Sequence, residues 1–202
     1  MLSVSVLGIK DNVDKLLSID NLGLEYIHLD IMDGLFVSSI TDMSNLPLMK
    51  TPKDVHLMVE DVKKYVDIYK KYNPEYITFH LEVDDDIDEL IDYIHSLGIK
   101  VGISIKPNTE VSELQKYLDK VELVLIMSVE PGYGGQSFLM NSVPKVEELY
   151  RLRKESGYDY LIEIDGGINS DTIELVPQCD IYVVGSYITS SDDYKTRINS
   201  LK

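Results

Sequence analysis

The sequence predicts a parallel α/β fold of eight strand–helix units, the number that closes a (β/α)8 barrel. Three observations carry this. Short β-rich runs alternate with segments whose apolar residues recur at helical spacing along all 202 residues. No Pro-, Gly- or Ser-rich linker interrupts the rhythm, so residues 1–202 read as one domain. Polar residues and glycines collect at one end of the runs, as they do where barrel loops build sites. A doubly wound open sheet shares the alternation, and periodicity alone does not show closure.

In order, the predicted strands are Leu2–Val6, Tyr26–Asp30, Asp54–Leu57, Tyr76–His80, Lys100–Ile105, Leu123–Ser128, Leu161–Asp165 and Ile181–Val184. Each is a short run of mostly β-branched, aliphatic or aromatic residues. Between the third and fourth, Val62, Tyr65, Val66 and Tyr69 fall on one helical face. Ile87, Leu90, Ile91 and Ile94 do so after the fourth. That helix opens on Asp84, Asp85 and Asp86, a solvated charge run that also supplies an N-cap and suits the helix dipole. The second crossover is short. Val37 to Lys50 contains Asp42, Asn45 and Pro47 and has little room for a helix.

Composition narrows the function classes. Hydrophobic residues are 44% and charged residues 27%, close to globular averages, which excludes disorder. With 19 Lys+Arg against 35 Asp+Glu, the net charge is −16, a poor match to phosphate backbones and anionic lipid surfaces. The single cysteine, Cys179, precedes the eighth strand on the helix side and reads as a small inert apolar residue. Met1–Gly8 lacks a basic n-region, and no apolar run reaches a membrane-spanning length. The expectation is a cytoplasmic protein that binds neither nucleic acid nor membrane.

Strand alternation places His28, Asp30 and Met32 on one face, and His56 with Met58 on another. Thr78, His80 and Glu82 share a face of the fourth strand, and Glu163 and Asp165 one of the seventh. In a barrel, His28, Asp30, His56 and Asp165 converge at the C-terminal mouth. Two imidazoles and two carboxylates suit one divalent ion such as Zn, Fe, Mn or Co. An isolated strand histidine is more often a hydrogen-bonded core residue, but Asp30 on the face of His28 favours a ligand there. For His80, a structural imidazole and a substrate contact are equally open. Met32, Met58 and Met127, taken alone, read as core filling.

Glycines form a second group. Gly132, Tyr133, Gly134 and Gly135 follow the sixth strand, Gly166 and Gly167 the seventh, and Gly185 with Ser186 the eighth. Glycine lets backbone N–H groups approach an anion, and the loops after the last two barrel strands commonly hold phosphate. Three such loops in succession imply a small phosphorylated substrate.

These residues resemble the ribulose-phosphate 3-epimerase family. The resemblance rests on Ser5–Leu7, His28–Val37, Asp54–Val59, Phe79–Glu82, Gly102–Thr109, Met127–Gln136, Asp165–Ile168 and Gly185–Ser186, in family order over essentially the whole chain. It implies a closed (β/α)8 TIM barrel of the ribulose-phosphate binding type, with a shortened second crossover. It also implies one divalent ion per subunit on His28, Asp30, His56 and Asp165, with Asp30 and Asp165 as the acid–base pair. Ser5 and His56 would touch substrate, the three glycine loops would hold it chiefly by its phosphate, and Met32, Met58 and Met127 would cap the reacting carbons. A homo-oligomer is expected. Two departures stand out: Ser38 and Ser39 replace the usual Pro-Asn, and Gln178–Asp180 lacks the usual small-residue stretch before the eighth strand.

The implied reaction is the interconversion of D-ribulose 5-phosphate and D-xylulose 5-phosphate by proton transfer at C3, as in the pentose phosphate pathway. Epimerisation of a hexulose 6-phosphate such as D-allulose 6-phosphate uses the same chemistry and is the alternative. A Schiff-base aldolase needs an inward lysine, which the sixth strand lacks, and Lys106 lies beyond the end of the fifth. Two retained aspartates argue against a non-catalytic sugar-phosphate binding barrel.

Overall fold

A computed structural model describes residues 1–202. Nine strands form one sheet: β1 (Leu2–Ser5), β2 (Tyr26–Asp33), β3 (Ile40–Thr41), β4 (Lys53–Met58), β5 (Tyr76–His80), β6 (Lys100–Ile105), β7 (Leu123–Met127), β8 (Leu161–Asp165) and β9 (Ile181–Val184). All except β3 run parallel, and β1 pairs with both β9 and β2. That double pairing closes the eight parallel strands into a barrel and excludes the open sheet.

Two cores result from strand alternation. Outward residues such as Leu29, Leu57, Phe79, Ile103 and Ile126 join the helices in a 47-residue apolar cluster. Inside the barrel, Tyr76, Leu123 and Ile181, with Tyr26 and Leu161 against them, plug the N-terminal end. Above the plug the interior is polar, with Ser3, His28, Asp54, Thr78, Ser104 and Glu163 all buried. It is also full: a Cβ on Gly102 would lie 2.1 Å from Thr78 Oγ1.

α1 (Val13–Asp20), α2 (Val62–Tyr69) and α3 (Ile87–Ser96) are each capped by a side chain, Asn12, Asp61 and Asp86 respectively. Such caps contribute about 1 kcal/mol each. α4 (Ser142–Ser156) ends on Gly157 at φ 69°, and α5 (Ser186–Thr189) and α6 (Tyr194–Asn199) follow β9. The expected helices after β6 and β8 shrink to 3₁₀ turns, Val111–Leu114 and Ile173–Leu175. After β6, Tyr117 N–H and Lys120 N–H bond carbonyls three residues back, which keeps the chain in tight turns. After β8, Pro177 stops propagation and Val176 leaves the helical region at φ −132°, ψ 54°.

The second crossover contains no helix, as its sequence predicts. β3 instead folds back antiparallel on Met32 and Asp33, and Thr41 Oγ1 donates to Asp30 O and accepts from Met32 N–H. Tyrosines then hold the segment from outside. The Tyr69 hydroxyl accepts from Met43 N–H, while that of Tyr72 accepts from Leu46 N–H and donates to Ser44 O. Buried Asp20 accepts from Lys50 N–H and Thr51 N–H at 2.9 and 2.8 Å. Asp20→Ala strips two backbone donors of a charged acceptor and is expected to cost about 2–4 kcal/mol. A urea midpoint unchanged from wild type would show that this carboxylate does not hold the crossover.

Candidate active site

Parallel register assembles the site. It sets Ser5 beside His28, His28 beside Asp54, Asp30 beside His56, Met32 beside Met58 and Met127 beside Asp165. The four expected ligand residues do meet. His28 Nε2 lies 3.5 Å from Asp30 Oδ1 and 3.9 Å from Asp165 Oδ2, and His56 Nδ1 lies 3.7 and 3.9 Å from the same oxygens. An ion with bonds of about 2.1 Å separates tetrahedral donors by roughly 3.4 Å, so these spacings suit one divalent cation.

The donor chemistry fits as well. His28 Nε2 and His56 Nδ1 are fully buried and bond no protein group. Two such nitrogens facing two carboxylates form a costly arrangement that a cation relieves. Burial also opposes charge on His28, but the carboxylates of Asp54 and Asp30 on either side raise its pKa well above the usual histidine range. A cation bound there would replace that proton.

The two aspartates differ. Burial opposes ionisation of Asp30, but the charge and hydrogen bonding of His28 hold its carboxyl far below the usual range. Ser5 Oγ adds a 2.6 Å hydrogen bond to Asp30 Oδ2. Burial raises Asp165, the charge of Asp30 raises it further, and its carboxyl is pushed up to about 7. The two carboxyls of the cluster are therefore pushed in opposite directions.

A cleft of about 580 Å³ opens over this pair. Ser5, Asp30, Asp165, Met32, Met58 and Met127 line its floor, and Gly132, Tyr133, Gly134, Gly135, Gly166, Gly167, Gly185 and Ser186 line its walls. Gly167 has φ +65°, and a Cβ there would lie 2.5 Å from Phe138 N, so the loops after β7 and β8 pack backbone to backbone. His28 and His56 are absent from the lining and fully buried beneath it. For His56, the expected substrate contact has no surface on the cleft wall.

The sequence reading placed Glu163 on the face of Asp165 but gave no role to it, to Asp54 or to Asn169 and Thr172. Asp54 Oδ2 bonds His28 Nδ1 at 2.6 Å and accepts from Ser3 Oγ at 2.8 Å. Glu163 is fully buried, and burial together with the charge of Asp54 drives its carboxyl well above the usual range. Asn169 and Thr172 also line the cleft. Asn169 Oδ1 accepts from Asp171 N–H and Thr172 N–H, and Thr172 Oγ1 donates to Gly167 O, which fixes the glycine turn. An Asn two residues before a backbone donor is a recognisable turn signal that could have found this turn. His80 proves to be an interior imidazole bonded to His56, not a residue of the cleft wall.

Comparison with known proteins agrees with this geometry. Residues 1–189 match the family described as Ribulose-phosphate 3 epimerase family. The chain is 35% identical over 188 residues to ribulose-phosphate 3-epimerase of Bacillus subtilis, covering 89% of this chain and 87% of that protein. It is 38% identical over 173 residues to the Treponema pallidum protein of the same name, covering 81% and 78%. Among solved structures, KGPDC from Streptococcus mutans superposes with a TM-score of 0.70 at 13% identity, covering 99% of this chain and 94% of that one. At that identity the likeness speaks for the barrel fold.

Proposed function

Because the chain belongs to the ribulose-phosphate 3-epimerase family, we propose that it interconverts D-ribulose 5-phosphate and D-xylulose 5-phosphate at C3. The observation that carries this reading is the unlike pair Asp30 and Asp165 on the floor of a cleft walled by three glycine loops. The proton at C3 is acidic because the neighbouring C2 carbonyl can take the charge as an enediolate. Inversion needs a base on one face of that plane and an acid on the other. Asp30 from β2 and Asp165 from β8 come from separate strands of the barrel and serve the two faces.

Ser5 holds Asp30 in place through its hydroxyl. The glycine loops take the phosphate, since bare backbone can approach an anion closely. Met32, Met58 and Met127 present buried thioethers to the reacting carbons and keep water from the intermediate. His28, Asp30, His56 and Asp165 would hold one divalent ion, which supplies Lewis-acid stabilisation of the developing negative charge.

Proton NMR of ribulose 5-phosphate in D2O, with protein and added divalent ions, tests the reaction. Deuterium at C3 and appearance of xylulose 5-phosphate are expected. Neither product with a metal-loaded preparation would overturn the reading, and turnover of a hexulose 6-phosphate alone would move it to the larger sugar.

The proposal extends to a homo-oligomer. Leu35, Ile40 and Leu48 of the second crossover expose 71%, 74% and 95% of their surface, apolar area that a second subunit would cover. Light scattering is expected to give a multiple of 23.0 kDa, and a monomer at micromolar concentration would refute it. No helix is long and apolar enough to cross a membrane, and a single buried cysteine supports a cytoplasmic setting.

A further inference from the structure

We infer that Glu82 and His80 are positioning residues that set the tautomer of His56, and with it the ability of His56 Nδ1 to bind metal. The inference rests on the metal-dependent reading above. Its observations are a line of three side chains leading from a surface loop to the ligand cluster. Glu82 Oε2 lies 3.2 Å from His80 Nδ1, and His80 Nε2 lies 2.9 Å from His56 Nε2. The two imidazoles stack with centroids 5.0 Å apart, and both are fully buried. At the far end, His56 Nδ1 faces Asp30 and Asp165 with no hydrogen-bond partner.

The protons on this line have one consistent order. An ionised carboxylate only accepts, so His80 must place its proton on Nδ1 to meet Glu82. A neutral imidazole carries one proton, which leaves His80 Nε2 as an acceptor. The hydrogen bond between the two Nε2 atoms then needs its proton from His56. With that proton on Nε2, His56 Nδ1 is a bare lone pair aimed at the cluster. The reverse order would put a proton on Nδ1 and bar a cation. Both rings are fully buried, where an added charge is costly, which agrees with a single proton per ring.

Glu82 is held for this task. Its Oε1 accepts from Lys106 N–H at 2.7 Å and from the Thr109 hydroxyl, leaving Oε2 for His80. The loop that supplies those donors is pinned in turn by Lys145 of α4. Buried Lys145 Nζ donates to the carbonyls of Pro107 and Thr109, each at 2.6 Å. Hydrogen-bond partners behind a metal-bound histidine fix its tautomer and orientation, and their loss typically weakens metal affinity about 10–100-fold.

Glu82→Gln gives a sharp test because it keeps size and one oxygen. The Gln oxygen continues to accept from Lys106 N–H and Thr109, which turns the amide N–H toward His80 Nδ1. His80 must then accept there and carry its proton on Nε2, which forces the proton of His56 onto Nδ1. Long-range ¹H–¹⁵N spectra of metal-free protein read both rings directly. We expect Nδ1–H on His80 and Nε2–H on His56 in wild type, and both reversed in Glu82→Gln. Zn²⁺ affinity, measured by chelator competition, is expected to fall about 10–100-fold in that variant. Thr109→Val, which disturbs the loop and leaves Oε2 in place, is expected to keep both wild-type tautomers.

Wild-type spectra with the proton on His56 Nδ1 would overturn the relay whatever the variants do. So would a folded Glu82→Gln protein with wild-type tautomers and Zn²⁺ affinity within twofold of wild type. A wild-type protein that binds no Zn²⁺ would instead sink the metal-dependent reading, while the spectra would still judge the relay.

Discussion

Metal-loaded Asp165→Asn protein is expected to lose net epimerisation while still exchanging the C3 proton of one epimer with solvent. The substitution keeps the shape of the side chain and removes its proton-carrying carboxyl, the group that burial and Asp30 together push up to about 7. General acid–base groups typically contribute roughly 10²–10⁴-fold, and weakened metal binding would add to the loss. Asp30 remains in this variant, held ionised by His28 and bonded by Ser5. It can remove a proton from its own face and return deuterium to it. Asp30→Asn should show the mirror behaviour, with exchange confined to the other epimer. Metal content must be measured in each variant, because both residues belong to the ligand cluster. Near wild-type epimerisation by metal-loaded Asp165→Asn would rule out the two-face mechanism.

Chelation is expected to reduce turnover to background, and one equivalent of divalent ion per chain to restore it. Lewis-acid stabilisation of developing charge is worth several kcal/mol, on the order of 10³-fold in rate. The same titration should be visible without substrate. An ion that binds the folded chain alone adds about 2.7 kcal/mol of stability at a hundred times its Kd, so the melting temperature should rise with metal concentration. Full activity in a preparation shown by elemental analysis to be metal-free would remove the four-ligand site. A metal-dependent melting shift without metal-dependent turnover would keep the site but assign it a structural role.

The sequence disclosed what depends on local pattern. β5, β6, β8 and β9 begin and end where the β-rich runs predict, and Asp86 caps α3 where the charge run predicts. The convergence of His28, Asp30, His56 and Asp165 was legible because strand alternation is local too: side chains on one face recur at every second residue. What was hidden depends on partners distant in the chain. β2 runs on to Asp33, beyond the expected Asp30, because β3 folds back and pairs with Met32 and Asp33. Asp54 looked like a polar residue at a strand start. Its bond to His28 follows from the β2–β4 register, which no single segment specifies. The helices expected after β6 and β8 failed because apolar spacing does not distinguish an α-helix from successive tight turns.

The closing seam of the barrel bears on how the chain comes to fold. β1 and β9 lie near opposite ends of the sequence, and the Met1 amino group bonds Asp180 O across 179 residues. Contacts so distant in sequence carry a large loop-closure entropy and form slowly. Before they form, β1 and the latest strand to be made are bare parallel edges, the part of a nascent sheet most open to pairing with a neighbour. During synthesis from the N-terminus, β1 can pair with β2 early, but its other edge must wait for β9 to emerge. One side of the cleft shares that wait. Ser5, which holds Asp30, stands on β1, and Gly185, whose Cβ position lies 3.5 Å from Ser5, follows β9. The wall of the cleft that Ser5 and Gly185 share is therefore completed only when the two ends of the barrel meet.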